Sequence, residues 1–65
     1  MIIISRLKIK REEAQLTQEE VASRIGVEQN TVSQWEKGVR IPRASNLIAL
    51  AKLFNCTVDE LLTQE

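Results

Sequence analysis

Residues 18–36 read QEEVASRIGVEQNTVSQWE, and the fold turns on this stretch. Val21, Ala22 and Ile25 recur at helical spacing and mark one inward face, which predicts a helix over about Gln18–Ile25. Just before it, Thr17-Gln18-Glu19-Glu20 has the form of a capping box, with a hydroxyl at the cap and a carboxylate three residues on. Gly26 follows at once, where a helix end takes a left-handed turn. A second helix is predicted over about Gln29–Lys37, with Val32 and Trp35 inward, stopping at Gly38. Two short helices that cross steeply need a small residue near the crossing, a residue tolerant of positive φ in the turn, and a short β-branched anchor on the second helix. Ala22, Gly26 and Val32 supply these in that order.

Outward from this pair the chain continues to read as short helices. A first helix is expected over about Ser5–Ala14, with Ser5 as its N-cap and Leu7, Arg11 and Ala14 on one face. Val39–Arg43 forms a loop holding the only proline, Pro42. A fourth helix, about Ala44–Phe54, places Leu47, Leu50, Ala51 and Phe54 at helical spacing, and Asn55 closes it. Thr57-Val58-Asp59-Glu60 is a second capping box, opening a short last helix with Leu61 and Leu62. Strand signals are thin: Ile2, Ile3 and Ile4 are β-branched, but one isolated run does not make a stable sheet. The expected architecture is an all-α five-helix bundle, a single domain over residues 1–65.

Composition narrows the function classes. The chain has 65 residues, no His, one Cys and two Gly, and its nine basic residues balance nine acidic ones. Without His the commonest general base near neutral pH is missing. Gly26 and Gly38 lie too far apart to form a phosphate cradle. Cys56 has no partner for an intramolecular disulfide and too few companion ligands for zinc. The longest apolar run, Met1–Ile4, is far short of a membrane span. The expectation is therefore a non-enzymatic, cytoplasmic protein with no metal, no small-molecule cofactor and no membrane association.

Two helices joined by a short glycine-bearing turn form a helix-turn-helix, whose second helix enters the major groove of DNA. The chain resembles the Cro/repressor family of such proteins, also called lambda-repressor-like or XRE-type. The residues carrying the likeness are Leu7, Arg11-Glu12, Leu16 to Ala22, Ile25-Gly26-Val27, Thr31-Val32-Ser33, Trp35 to Gly38, Pro42, Leu47 to Ala51 and Val58 to Leu62. This spans nearly the whole sequence. Three positions depart from the family pattern: Lys10 replaces an apolar residue, Glu28 replaces a small hydroxyl cap on the recognition helix, and Arg43 replaces a small cap on the fourth helix.

The resemblance implies a lambda-repressor-like fold and a set of roles. Gln29, Asn30, Ser33 and Gln34 lie where the recognition helix reaches base edges, and Gln or Asn can bind adenine through two hydrogen bonds. Gln18, at a helix start that favours anions, is placed to hold a phosphate. Thr31 is either a phosphate donor or a packing residue. Arg11 and Glu36 are implied to form a partly buried structural ion pair. Trp35 and Cys56 read as core, and Glu12, Glu13, Glu19 and Glu20 as surface acids.

Zero net charge conceals an uneven distribution. Residues 1–11 carry +4, 12–36 carry −5, 37–43 carry +3 and 44–65 carry −2. Lys37, Arg40 and Arg43 follow the recognition helix where the family meets the DNA backbone, and Lys10 is a weaker candidate. The implied function is sequence-specific binding of double-stranded DNA by a transcriptional regulator, most simply a repressor acting as a homodimer on a palindromic operator. Activation through polymerase contact and use of the bundle as a protein-interaction or antitoxin-type module are the alternatives. The dimer surface has two candidates, Asn55–Leu62 and the Met1–Ile4 segment; Val58, Leu61 and Leu62 either form that surface or complete the monomer core.

Overall fold

Apolar spacing and caps translate directly into the helices of the computed structural model, which describes residues 2–3 and 6–64. In chain order the elements are β1 (Ile2–Ile3), α1 (Arg6–Glu13), α2 (Gln18–Ile25), α3 (Gln29–Glu36), α4 (Ala44–Leu53), α5 (Val58–Leu61) and β2 (Thr63–Gln64). The five-helix reading is correct, with one two-residue strand added at each end of the described residues. Helix α2 has the predicted limits. The other helices end about a residue short, with Lys37 and Phe54 serving as the C-caps of α3 and α4. Ser5, the expected cap of α1, lies outside the described residues.

Both capping boxes form. Thr17 Oγ1 accepts from the Glu20 amide at 3.0 Å while the Thr17 amide donates to Glu20 Oε1 at 2.9 Å. Thr57 and Glu60 repeat the exchange at 3.2 and 3.3 Å. At the end of α2, Gly26 takes φ +78°, and the amides of Gly26 and Val27 both donate to the Ala22 carbonyl at 2.9 Å. That left-handed turn reverses the chain within three residues and aims α3 across α2, the most closely packed pair of elements.

One core holds the elements together. Leu7, Val21, Ala22, Val32, Trp35, Leu50, Ala51 and Leu61 are buried, with Leu16, Ile25, Val27, Leu47, Leu53, Phe54, Cys56, Val58 and Leu62 packed against them. Every helix contributes to it. Leu61 is fully enclosed, so α5 completes the core, and Val58 and Leu62 lean on it. Cys56 is half-buried, more open than the core reading allowed, and burial still raises its thiol pKa. Ala14 is exposed beyond the end of α1, because the helix stops before it and Gln15 turns the chain at φ +59°. Lys10 is half-buried while Ile9 stays 54% exposed, so the lysine stem occupies the inward position and carries its charge to the rim.

The N-terminal isoleucines correct the sequence reading. Ile2 pairs with Gln64 and Ile3 with Thr63 in an antiparallel two-stranded ladder. The partner is the polar tail after α5, which has no strand signature; the topology creates the pairing by bringing the two ends together. No helix among the described residues is long and apolar enough to cross a membrane.

Candidate nucleic-acid interface

Helix α3 is anchored on one side and open on the other. Val32 and Trp35 are 0% and 3% exposed, pinning the helix to the core. Gln29 and Asn30 are exposed, and Ser33, Gln34 and Thr31 are half-buried. Residues 29, 30, 33 and 34 therefore share the outer face, a row of hydrogen-bonding side chains along a rod fixed from behind. Glu28, the N-cap, makes no side-chain capping bond, and Arg43 makes none at the start of α4. Each occupies the cap position with extended backbone while its side chain leaves the amides of the first turn unmatched.

Behind the first turn of α3 the structure builds a chain of polar contacts. Arg11 Nε donates to Glu36 Oε2 at 2.7 Å and Arg11 Nη2 donates to Glu36 Oε1 at 3.2 Å. The two side chains are 13% and 5% exposed, and donating to the Glu36 carboxylate holds the guanidinium above its already high ordinary pKa. Arg11 Nη1 also donates to the Leu16 carbonyl at 2.9 Å, tying α1 to the segment before α2. Gln18 Nε2 donates to Glu36 Oε1 at 3.0 Å, and Gln29 Nε2 donates to Gln18 Oε1 at 3.1 Å. In the free protein the carboxamide of Gln18, the phosphate candidate of the sequence reading, bonds both Glu36 and Gln29. Spacing along one helix cannot reveal such a link, because it depends on how α2 and α3 cross.

The basic loop is held in place by the end of α3. Gly38 adopts φ +76°, and the Val39 and Arg40 amides both donate to the Gln34 carbonyl, at 3.0 and 3.4 Å. Lys37, Arg40 and Arg43 are all exposed, while Pro42 in the same loop is buried. A hollow of about 300 Å³ between this loop and the helices is lined by Thr31, Trp35, Arg40, Ile41, Arg43 and Asn46. Asn46 has no place in the sequence reading, yet α4 brings it beside two of the three loop cations. Its signal was weak, since an amide in the first turn of a helix is usually solvated. The acidic residues Glu12, Glu13, Glu19 and Glu20 lie exposed on α1 and α2. Among the described residues no group of His, Cys, Asp or Glu is arranged to hold a metal ion.

Comparison with known proteins gives a consistent picture. The helix-turn-helix family model matches residues 7–61. The transcriptional repressor RstR of the cryptic phage CTXphi, from Vibrio cholerae, is 39% identical over 59 residues, covering 91% of this chain and 53% of that protein. The transcriptional activator BcrR of Enterococcus faecalis is 40% identical over 50 residues, covering 77% of this chain and 24% of that protein. The chain thus spans from about a quarter to a half of the length of these relatives. Among solved structures, the P22 c2 repressor in complex with a synthetic operator superimposes with a TM-score of 0.84 at 28% identity, covering 91% of both chains. The chain belongs to the XRE-type helix-turn-helix family, whose members include phage repressors and related transcriptional regulators.

Proposed function

We propose that this chain is the DNA-reading unit of a transcriptional regulator, laying α3 in the major groove of double-stranded DNA. The observation that carries the reading is the two-sidedness of α3: Val32 and Trp35 sealed in the core, and Gln29, Asn30, Ser33 and Gln34 along the opposite, accessible side. Gln29 and Gln34 are the principal base readers, with Asn30 and Ser33 beside them. Lys37, Arg40 and Arg43 lie just beyond the helix end and fit contacts to backbone phosphates, which fix register without reading sequence. Thr31 adds a hydroxyl on the same border. Gln18, at the start of α2, adds a phosphate contact beside the groove.

The simplest regulatory mechanism is occupation of an operator, that is, repression, acting as a homodimer on a palindromic site. The molecule measures 28 × 23 × 21 Å, so its longest axis covers about eight base pairs at ~3.4 Å each. One copy thus reads one half-site, and a second copy about 34 Å away reads the other. Selection of bound duplexes from a random pool at fixed salt tests the proposal. A shared motif with two-fold symmetry is expected, with affinity falling as salt rises by about 0.9 log units per log unit for each phosphate neutralised. Recovery of no common motif, with negligible duplex binding at low salt, would favour the protein-interaction module instead.

A further inference from the structure

Glu28 is a charged side chain with nothing inside the molecule to hold it. It stands at the N-cap of α3 on extended backbone, φ −82° and ψ 151°. Its main-chain carbonyl accepts from the Thr31 and Val32 amides at 3.0 and 3.4 Å. Its carboxylate makes no capping bond, is exposed and joins no ion pair among the described residues. The fold thus uses the backbone of Glu28 and leaves the side chain uncommitted. Side chains at the start of a helix lean toward its N-terminal end, so the carboxylate projects past the start of α3, beside Gln29. That end of a recognition helix is the one that meets base edges. A serine or threonine hydroxyl at the cap would turn back onto the helix amides; the longer glutamate stem carries its oxygens beyond them. The candidates for phosphate contact Lys37, Arg40 and Arg43 follow the opposite end of α3.

A carboxylate only accepts hydrogen bonds, which narrows what it tolerates in the major groove. Guanine offers the acceptors N7 and O6 there, thymine an acceptor and a methyl group, and adenine an acceptor beside its amino group. Cytosine alone presents an amino donor with no acceptor beside it. We propose that Glu28 is a specificity-determining residue: its carboxylate accepts from the N4 amino group of a cytosine at the Gln29 end of the stretch α3 reads, and it rejects guanine and thymine there. The inference rests on the DNA-reading proposal and adds an anionic reader to the neutral row of Gln29, Asn30, Ser33 and Gln34.

Glu28→Ala and Glu28→Gln test it in the full chain. Neither removes an internal side-chain contact, so thermal melts of both should stay close to the parent's. In competition binding at fixed salt, the parent should prefer cytosine over guanine at one position by roughly 5–150-fold. Glu28→Ala should bring that ratio to within about threefold, while the preference that depends on Gln29 holds. Glu28→Gln, close in size but both donor and acceptor, should move the preference from cytosine toward adenine. Replacing the cytosine by a pyrimidinone nucleotide, which lacks the amino group, should weaken the parent and leave Glu28→Ala unaffected. An alanine variant that keeps the cytosine preference overturns the inference and leaves the DNA-reading proposal standing. So does one that binds every duplex more tightly with all preferences intact, because the carboxylate then faces a phosphate. A parent that discriminates among duplexes at no position overturns the DNA-reading proposal itself.

Discussion

Gln29 and Gln34 occupy the same face of α3 but differ in what holds them. Gln29 is exposed and tethered to Gln18 at 3.1 Å. Gln34 is half-buried, and its backbone carbonyl anchors the basic loop. Replacing Gln29 by Ala should cost about 1–3 kcal/mol of discrimination at one base pair and leave thermal stability unchanged. Binding to single-substituted duplexes, alongside a thermal melt, measures both. Arg43→Ala should instead weaken all duplexes alike and lower the slope of affinity against salt by about one phosphate's worth. At this scale the sequence is informative about which residues face outward, because the 3.6-residue period sets 29, 30, 33 and 34 opposite 32 and 35. It is silent on what they touch. The partners of Gln18 lie 11 and 18 residues away along the chain, and only the crossing of two helices brings them within reach.

Among the elements, α2 and its turn are the most legible, since both ends carry explicit signals. Thr17 with Glu20 opens the helix and Gly26 closes it, and the structure reproduces the predicted limits of α2. A Cβ built on Gly26 would meet nothing within 4 Å, so the cost of Gly26→Ala is purely conformational, about 1–2 kcal/mol for a left-handed backbone. A lower urea midpoint with an unchanged slope checks this. The capping box also predicts a pH response. The Thr17 amide and hydroxyl stabilise ionised Glu20 and hold its pKa below the ordinary 4.5. A depressed folded-state value means the contribution is complete above the unfolded pKa and is lost as pH falls through the folded one. Stability measured from pH 6 to 2 should fall less steeply below about pH 4.5 in Glu20→Gln than in the parent. The starts of α3 and α4 fall where the sequence puts them, although Glu28 and Arg43 make no side-chain caps; only their C-terminal ends come a residue early, with Lys37 and Phe54 as the C-caps. The β1–β2 ladder was illegible, because Thr63 and Gln64 acquire a strand partner only through tertiary proximity.

For the molecule as a whole, breaking one enclosed ion pair costs a large share of the total stability. A chain of 65 residues is expected to have roughly 3–10 kcal/mol of folding free energy. Removing one member of an enclosed ion pair costs about 3–5 kcal/mol, so Arg11→Met should melt far below the parent and be partly unfolded at room temperature. The double variant Arg11→Met/Glu36→Leu should recover most of that loss, as circular dichroism melts of both would show. The ion pair spans 25 residues and closes the angle between α1 and the helix pair that carries the readout. Core composition was readable from periodicity, down to Leu50 and Ala51. Ile48, 51% exposed, lies off the face that Leu47, Leu50, Ala51 and Phe54 set by their spacing.

The orientation of the whole molecule on DNA is the point on which the functional reading stands. Titration of isotopically labelled protein with a selected half-site duplex, followed by backbone and side-chain amide shifts, addresses it directly. The largest changes should fall on Gln29, Asn30, Ser33 and Gln34, with a second group at Lys37, Arg40 and Arg43. Changes confined to the hollow between α4 and α5 lined by Ile48, Lys52, Asn55 and Val58, with α3 unmoved, would contradict a helix that reads the groove.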